Sequence, residues 1–290
     1  MLGKVDNTLQ HLIGLPYLYA SRDFTIHSRC RYLLHKLQQR RGSNLSFLDV
    51  GCGSGIALRH LATLQPQKIE RYVGIDLAAE RLYPRYRNIR DIELDFYNVN
   101  LDDPWDFGEF DLIWCSEVIE HLSDDNGQIA KIARALKPGG MALITTPSLE
   151  FVQHMGAMFP PILKTSPIQD GGHVRHGYRF EDMVRLATDV GLLVNSVDGA
   201  SRLTLAETER RYSTQGLGWI INNMSMTWST RGKRDFALGD AFRSQPQRYA
   251  SICAELTKPR ETKSAKPKPE TLSPLFSRDE REKIGDTVAT

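Results

Sequence analysis

The sequence predicts an α/β fold, in which strands alternate with helices around a mostly parallel sheet. Two observations carry that reading. First, Phe47-Leu-Asp-Val-Gly-Cys-Gly-Ser-Gly55 is a short apolar run followed by three glycines at spacing two, and an apolar-periodic segment begins at Ile56. That order is strand, tight turn, helix. Second, further apolar runs at Tyr72–Asp76, Ile92–Val99, Phe110–Cys115 and Met141–Thr145 are separated by helix-patterned segments, the rhythm of parallel strands joined by crossover helices.

Taken in order, residues 1–24 are mixed, with Leu12, Ile13, Leu15, Tyr17, Leu18 and Tyr19 around Pro16; they form an arm that either lids a site or packs on the core. Thr25 to Gln39 reads as a helix with Ile26, Cys30, Leu33, Leu34 and Leu37 on one stripe. Its opposite face is basic (Arg29, Arg31, Lys36, with Arg40 and Arg41 beyond), either a solvated face or a contact for an anionic partner. After the glycine turn a helix is expected from Ser54 to about Leu64, then another from Ala78 to Arg87. Ala135-Leu-Lys-Pro-Gly-Gly140 reads as a helix end and turn before the fifth strand. Phe151 to Ile168 is an apolar insertion that either caps a substrate pocket or packs on the core. A helix over Phe180–Val190 and a strand over Leu192–Val197 continue the alternation to about residue 200. Gln215 to Trp228 is amphipathic and suits a channel helix, a dimer contact, an interfacial membrane element or core packing. From Lys258 onward Pro, Lys, Glu, Ser and Thr dominate, the composition of a disordered tail. The expected organisation is thus an arm (1–24), a main domain (25–200), a helical extension (201–257) and a tail (258–290).

Composition bounds the function. A chain of 290 residues has room for one such domain with additions. Its 41% hydrophobic and 25% charged residues are globular values. A formal net charge of +2 gives no field for nucleic acid. No stretch approaches the roughly 20 apolar residues of a membrane span, and Met1 to Ala20 lacks a basic leader followed by an apolar run. Cys30, Cys52, Cys115 and Cys253 are far apart with no C-x-x-C pair, which suits reduced thiols and a cytoplasmic protein. No internal repeat is found.

The turn itself narrows the ligand. Glycine lets the backbone take positive φ and lets a ligand approach without a Cβ, and the following helix points free N–H groups at whatever lies over the turn. The pattern is G-x-G-x-G, with Ile56 where the third glycine of a dinucleotide fingerprint would stand. Asp49, inside the strand, would repel a pyrophosphate and suits a ligand carrying positive charge. A nicotinamide oxidoreductase is disfavoured by Ile56 and by the loop after the fourth strand. Asp76, 20–25 residues past the glycines, is placed to take both ribose hydroxyls or to N-cap the helix after it.

Leu48-Asp-Val-Gly-Cys-Gly-Ser-Gly55 resembles the first motif of the class I S-adenosylmethionine (SAM)-dependent methyltransferases. The resemblance covers roughly residues 44–147, more weakly to about 200. It implies a Rossmann-like, seven-stranded, mostly parallel sheet with strand order 3-2-1-4-5 and a terminal variation. It also implies SAM held by Asp49, Gly51, Cys52, Gly53, Ser54 and Gly55, with Asp76 and Leu77 at the ribose. Asn100 falls near the adenine amine, where relatives usually carry an acid; its amide oxygen can accept the same hydrogen bond. Cys115, Ser116 and Glu117 fall beside the methionine end. Ser116-Glu-Val-Ile-Glu-His-Leu122 is close to the ubiquinone-biosynthesis O-methyltransferase-like branch, which implies a small-molecule or lipid-like acceptor methylated at oxygen. Such an acceptor needs a proton acceptor nearby, and the candidates are Glu117, His121, His173 and His176. In a helix starting at Glu117, positions 117, 120 and 121 would share a face. The same residues are also similar to the metal layout of small-RNA 2′-O-methyltransferases: Glu117, Glu120 and His121 with His173 or His176 could bind Mg²⁺ or Mn²⁺, although Arg175-His-Gly-Tyr-Arg-Phe-Glu181 does not match that group's histidine spacing. A SAM-binding protein without catalysis is the third reading. Peripheral membrane contact and oligomeric state stay open.

Overall fold

The computed structural model describes residues 24–40, 42–64, 68–89, 91–158, 172–214, 216–229 and 235–260. Among them seven strands make a sheet: β1 (Leu45–Val50), β2 (Ile69–Asp76), β3 (Glu93–Asn98), β4 (Phe110–Ser116), β5 (Leu136–Pro147), β6 (Leu193–Arg202) and β7 (Tyr249–Thr257). Their order is β3-β2-β1-β4-β5-β7-β6. The first five run parallel, and β7 lies antiparallel between β5 and β6. The expected order 3-2-1-4-5 is present, and the terminal variation is this insertion of the last strand.

Central strands of a parallel sheet are covered on both faces and so read as continuous apolar runs. β1 divides its side chains accordingly. Leu48 and Val50 pack with Val73, Ile75, Ile113 and Cys115 on one face, while Phe47 packs with Tyr72, Leu112 and Trp114 on the other. The helices are α1 (Phe24–Gln39), α2 (Ile56–Leu64), α3 (Tyr83–Tyr86), α4 (Asp125–Ala135), α5 (Leu149–Met158), α6 (Phe180–Asp189), α7 (Leu205–Ser213), α8 (Gly216–Ser229) and α9 (Asp240–Arg243). α1 buries the expected stripe of Cys30, Leu33, Leu34 and Leu37.

Several expectations are corrected. The helix expected over 78–87 is a 3-10 turn at Ala79–Leu82 followed by the short α3; Pro84 has no N–H to continue a preceding turn and sits at the start of α3. Leu136 to Gly140 belongs to β5 rather than to a turn, because Leu136 pairs with Phe110 across a register shift. The stretch 201–257 is not purely a helical extension: it carries α7 and α8 but ends in β7. The described residues from Phe24 to Pro259 belong to one compact unit, so the sheet domain does not end at 200. Lys258 is tied down as well, its amine donating to the Leu136 carbonyl at 2.6 Å. The first half of the 151–168 insertion is helical, and Phe151 and Met155 pack with Phe24, Leu203 and Met226; the rest of it, the arm before Phe24 and the tail after Arg260 lie outside the described residues. Among the described residues no helix is long and apolar enough to cross a membrane.

Candidate active site

The strand order reverses between β1 and β4, and a crevice opens at their carboxyl ends, where open α/β sheets take ligands. The glycine turn forms its floor. Gly51 has φ +70°, and a Cβ there would meet a Val118 methyl at 2.3 Å; it is glycine for packing as well as for conformation. Gly53 has φ +54° and nothing within 4 Å of where its Cβ would stand, so the space above it is open. The Gly51 and Cys52 N–H groups donate to the Ile75 carbonyl at 2.8 and 3.1 Å. The Gly53 N–H donates to Asp76 Oδ2 at 3.0 Å. Asp76 therefore braces the turn and is not a helix cap: the following 3-10 turn starts after Ala78 and has no side-chain cap.

The crevice has a volume of about 190 Å³ and is lined by Asp49, Gly51, Cys52, Gly53, Ser54, Trp114 and Ser116, together with Ile26, Arg29 and Cys30 from α1. Asp76 and Leu77 stand beyond it at the end of β2, and Leu77 is 73% exposed. Gly55 lies under the Tyr86 ring. Asn100 is exposed, and its Oδ1 accepts from the Asp102 N–H at 3.2 Å. Cys115 does not line the crevice; its side chain lies wholly in the core.

Asp49 is 3% exposed and accepts a hydrogen bond from the Tyr72 hydroxyl. Burial pushes its carboxyl up to about 7, with Asp76 adding to the rise and the Tyr72 bond opposing it. The folded protein then keeps a proton that the unfolded chain loses near pH 4, so this group's contribution to stability falls as pH rises through the window from about 4 to about 7. The loss is on the order of 4 kcal/mol. Asp49→Asn is expected to flatten that slope and to be more stable than the parent above neutrality, as read from urea midpoints at acid and alkaline pH. An unchanged slope would mean that Asp49 titrates normally.

Glu117 follows β4 with φ +55°, a left-handed conformation that costs a side-chain residue roughly 1–2 kcal/mol. Its N–H donates to the Thr145 carbonyl at 2.8 Å. Its Oε1 accepts from the hydroxyls of Thr145 at 3.3 Å and Ser251 at 3.2 Å, and its Oε2 faces Arg29 Nη1 at 3.7 Å. A helix cannot begin from this geometry, and Ile119–His121 is a 3-10 turn instead. The expected shared face of Glu117, Glu120 and His121 is therefore absent. Glu120 points inward, fully buried, and accepts from Thr146 Oγ1 at 3.0 Å, while its Oε1 has no hydrogen-bond partner. Burial, then the nearby Glu117 carboxylate, holds its carboxyl well above the usual range. His121 is exposed, with its ring 4.4 Å from that of His173 and nearly perpendicular to it.

His173 arrives there through backbone and side-chain ties. The Val174 N–H donates to the Glu120 carbonyl at 2.9 Å, and Arg175 Nη1 donates to the carbonyls of Ile119 at 2.8 Å and Leu122 at 3.0 Å. Glu120, His121 and His173 offer ligand atoms within 4.8 Å of one another. Glu117 and His176 are not members of that group, contrary to the expected metal set.

Ser251 was not singled out in the sequence, and Arg29 only as one residue of a basic face. Arg29 reads as surface, yet its spacing from Ile26 and Cys30 puts it on the face that meets the crevice. Ser251, a serine in a strand, carries no signal of its own.

Residues 21–197 match the model of a family described as a methyltransferase domain. The chain is 23% identical over 206 residues to a ubiquinone biosynthesis O-methyltransferase of Vibrio atlanticus, covering 69% of this chain and 84% of that protein. Among solved structures, an S-adenosylmethionine-dependent methyltransferase of Mesorhizobium loti superposes with TM-score 0.51 at 13% identity, over 79% of this chain and 97% of that one. A chain of the Haloferax volcanii complex with the Trm112 methyltransferase activator gives TM-score 0.51 at 20% identity, over 79% and 89%.

Proposed function

The chain belongs to the methyltransferase-domain family, and from that premise we propose that it transfers a methyl group from SAM to an oxygen of a small-molecule or lipid-like acceptor. The observation that carries the proposal is the crevice chemistry: a glycine turn left open above Gly53, with Asp49 in the crevice lining and the Asp76 carboxylate bonded to the Gly53 N–H. The Asp76 carboxylate beside the turn favours a cationic nucleoside over a pyrophosphate. Arg29, whose Nε is buried there without a hydrogen-bond partner, fits an α-carboxylate, and the neighbouring Glu117 fits an α-ammonium. Asp76 takes the ribose hydroxyls.

When bound, SAM supplies a methyl group already activated on a sulfonium. The chain's own residues then orient and desolvate the acceptor, and such positioning can contribute several kcal/mol. His121, exposed beside His173, is the residue that takes the proton of an acceptor hydroxyl. Glu120, buried and bonded to Thr146, supports the turn that presents His121 and does not take that proton.

A second reading is favoured by one observation: the grouping of Glu120, His121 and His173 with an unpartnered Glu120 oxygen. One carboxylate and two imidazoles fit a divalent cation of the Mn²⁺ type, which would orient an acceptor through its oxygens.

Methyl transfer from labelled SAM into a cell extract, separated into lipid, small-molecule, RNA and protein fractions, tests both readings. We expect label in the lipid or small-molecule fraction, and its loss with His121→Ala at unchanged SAM affinity. Label confined to RNA or protein would overturn the acceptor class, and SAM binding without any transfer would make this a binding protein. Abolition of transfer by a chelator, restored by Mn²⁺, selects the cation reading; indifference to chelator discards it.

A further inference from the structure

β7 is antiparallel to its neighbours, so its first residues, not its last, lie at the carboxyl edge of the parallel strands. Ser251 pairs with Pro147 at the end of β5 and is 1% exposed. Side chains alternate along a strand, and Ser251, Cys253 and Glu255 share the face that α1 covers: Arg29 reaches Ser251, Tyr32 and Cys253 share a cluster, and Lys36 reaches Glu255. The helix stripe 29, 32, 36 runs along the strand stripe 251, 253, 255, and its upper end is the crevice.

At that end Arg29 Nη1 donates to Ser251 Oγ at 3.5 Å, and Ser251 Oγ donates to Glu117 Oε1 at 3.2 Å. A hydroxyl has one proton and two lone pairs, so it can serve both groups at once, accepting from the cation and donating to the anion. The direct Arg29–Glu117 contact, at 3.7 Å, is too long for a hydrogen bond. We propose that Ser251 is a positioning residue for the methyl-donor site: its hydroxyl links Arg29 to Glu117 and keeps the Glu117 carboxylate, on its left-handed backbone, turned to the amino-acid end of the ligand. The proposal rests on the assignment of the crevice to SAM. Ser251 lies outside residues 21–197 that match the family, so the C-terminal strand adds a contact to Glu117 beyond those that Thr145 and Arg29 make from within that segment.

The test is calorimetric binding of SAM and of adenosine, which lacks the amino-acid end, to the full chain and to Ser251→Ala, Ser251→Thr, Glu117→Ala and the Ser251→Ala/Glu117→Ala double variant. One hydrogen bond to a charged group predicts about a tenfold loss of SAM affinity in Ser251→Ala. Adenosine affinity should be unchanged, Ser251→Thr should recover SAM binding, and Ser251→Ala should have no further effect once Glu117 is removed. Wild-type SAM affinity in Ser251→Ala overturns the proposal. An equal loss for adenosine, or the same loss in the Glu117→Ala background, overturns it too, since the serine would then act only on the fold. If the parent chain itself binds neither ligand, the assignment of the crevice falls first and the role of Ser251 with it.

Discussion

Asp76→Ala is expected to lower SAM affinity at least a hundredfold while leaving the protein folded. Two effects add. The carboxylate offers acceptors to both ribose hydroxyls, each worth on the order of 1.5–3 kcal/mol for a charged partner, and 1.4 kcal/mol is a factor of ten. The same carboxylate accepts from the Gly53 N–H at 3.0 Å, so its loss also frees the turn on which the ligand lies. Asp76 sits at a strand end, half-buried, and its removal opens no core cavity. Calorimetry with the parent and the variant measures the change, and a circular-dichroism melt confirms the fold. Asp76→Asn, which keeps the acceptor for Gly53 but loses the charge, should fall between the two. Parent-like affinity in Asp76→Ala would remove the ribose assignment.

Asp198→Ala is expected to cost the fold 3–5 kcal/mol, the range for removing one partner of a buried ion pair. Asp198 is fully buried. Its Oδ2 accepts from Lys36 Nζ, from the Tyr32 hydroxyl and from Ser196 Oγ, all at 2.8 Å, and its Oδ1 accepts from the Gly239 N–H at 2.7 Å. Deleting it removes the acceptor of four donors, Tyr32 and Lys36 on α1, Ser196 on β6 and the Gly239 N–H, and leaves Lys36 with only Glu255, at 2.7 Å, as a charged partner. Burial opposes the Lys36 charge, but its bonds to Asp198 and Glu255 prevail and hold its amine above the ordinary value. The stabilisation is thus present at neutral pH and is lost only as pH climbs through that raised value. Because Lys36 and Arg29 lie on the same helix, loosening α1 should also weaken SAM binding. Urea unfolding of the parent and Asp198→Ala checks the first claim; a difference below about 1 kcal/mol would contradict it.

What could be read from the sequence was local. The Leu48–Gly55 turn, the acid at the end of β2 and the five parallel strands each announce themselves within a dozen residues, through glycine spacing and apolar runs. What escaped depended on distant chain. β7 is a short run whose place in the sheet is fixed only by β5 and β6 on either side of it. Glu117 looks like the start of a helix, and the Thr145 carbonyl and hydroxyl, the Ser251 hydroxyl and Arg29 hold it in a conformation no local pattern announces. His173 and His176 are equivalent in sequence; the Val174 and Arg175 ties to the 119–122 turn bring the first beside His121 and leave the second apart. Glu120 reads like Glu117, yet one is buried in the core and the other is held beside Arg29 and Ser251.

A crystal structure of the full chain with S-adenosylhomocysteine, the demethylated product, tests the central claim most directly. The ribose hydroxyls should lie on Asp76, the nucleoside over the open face of Gly53, and the amino-acid end between Arg29 and Glu117. An empty crevice at saturating ligand, or a pyrophosphate nucleotide seated on the glycine turn in its place, would contradict it.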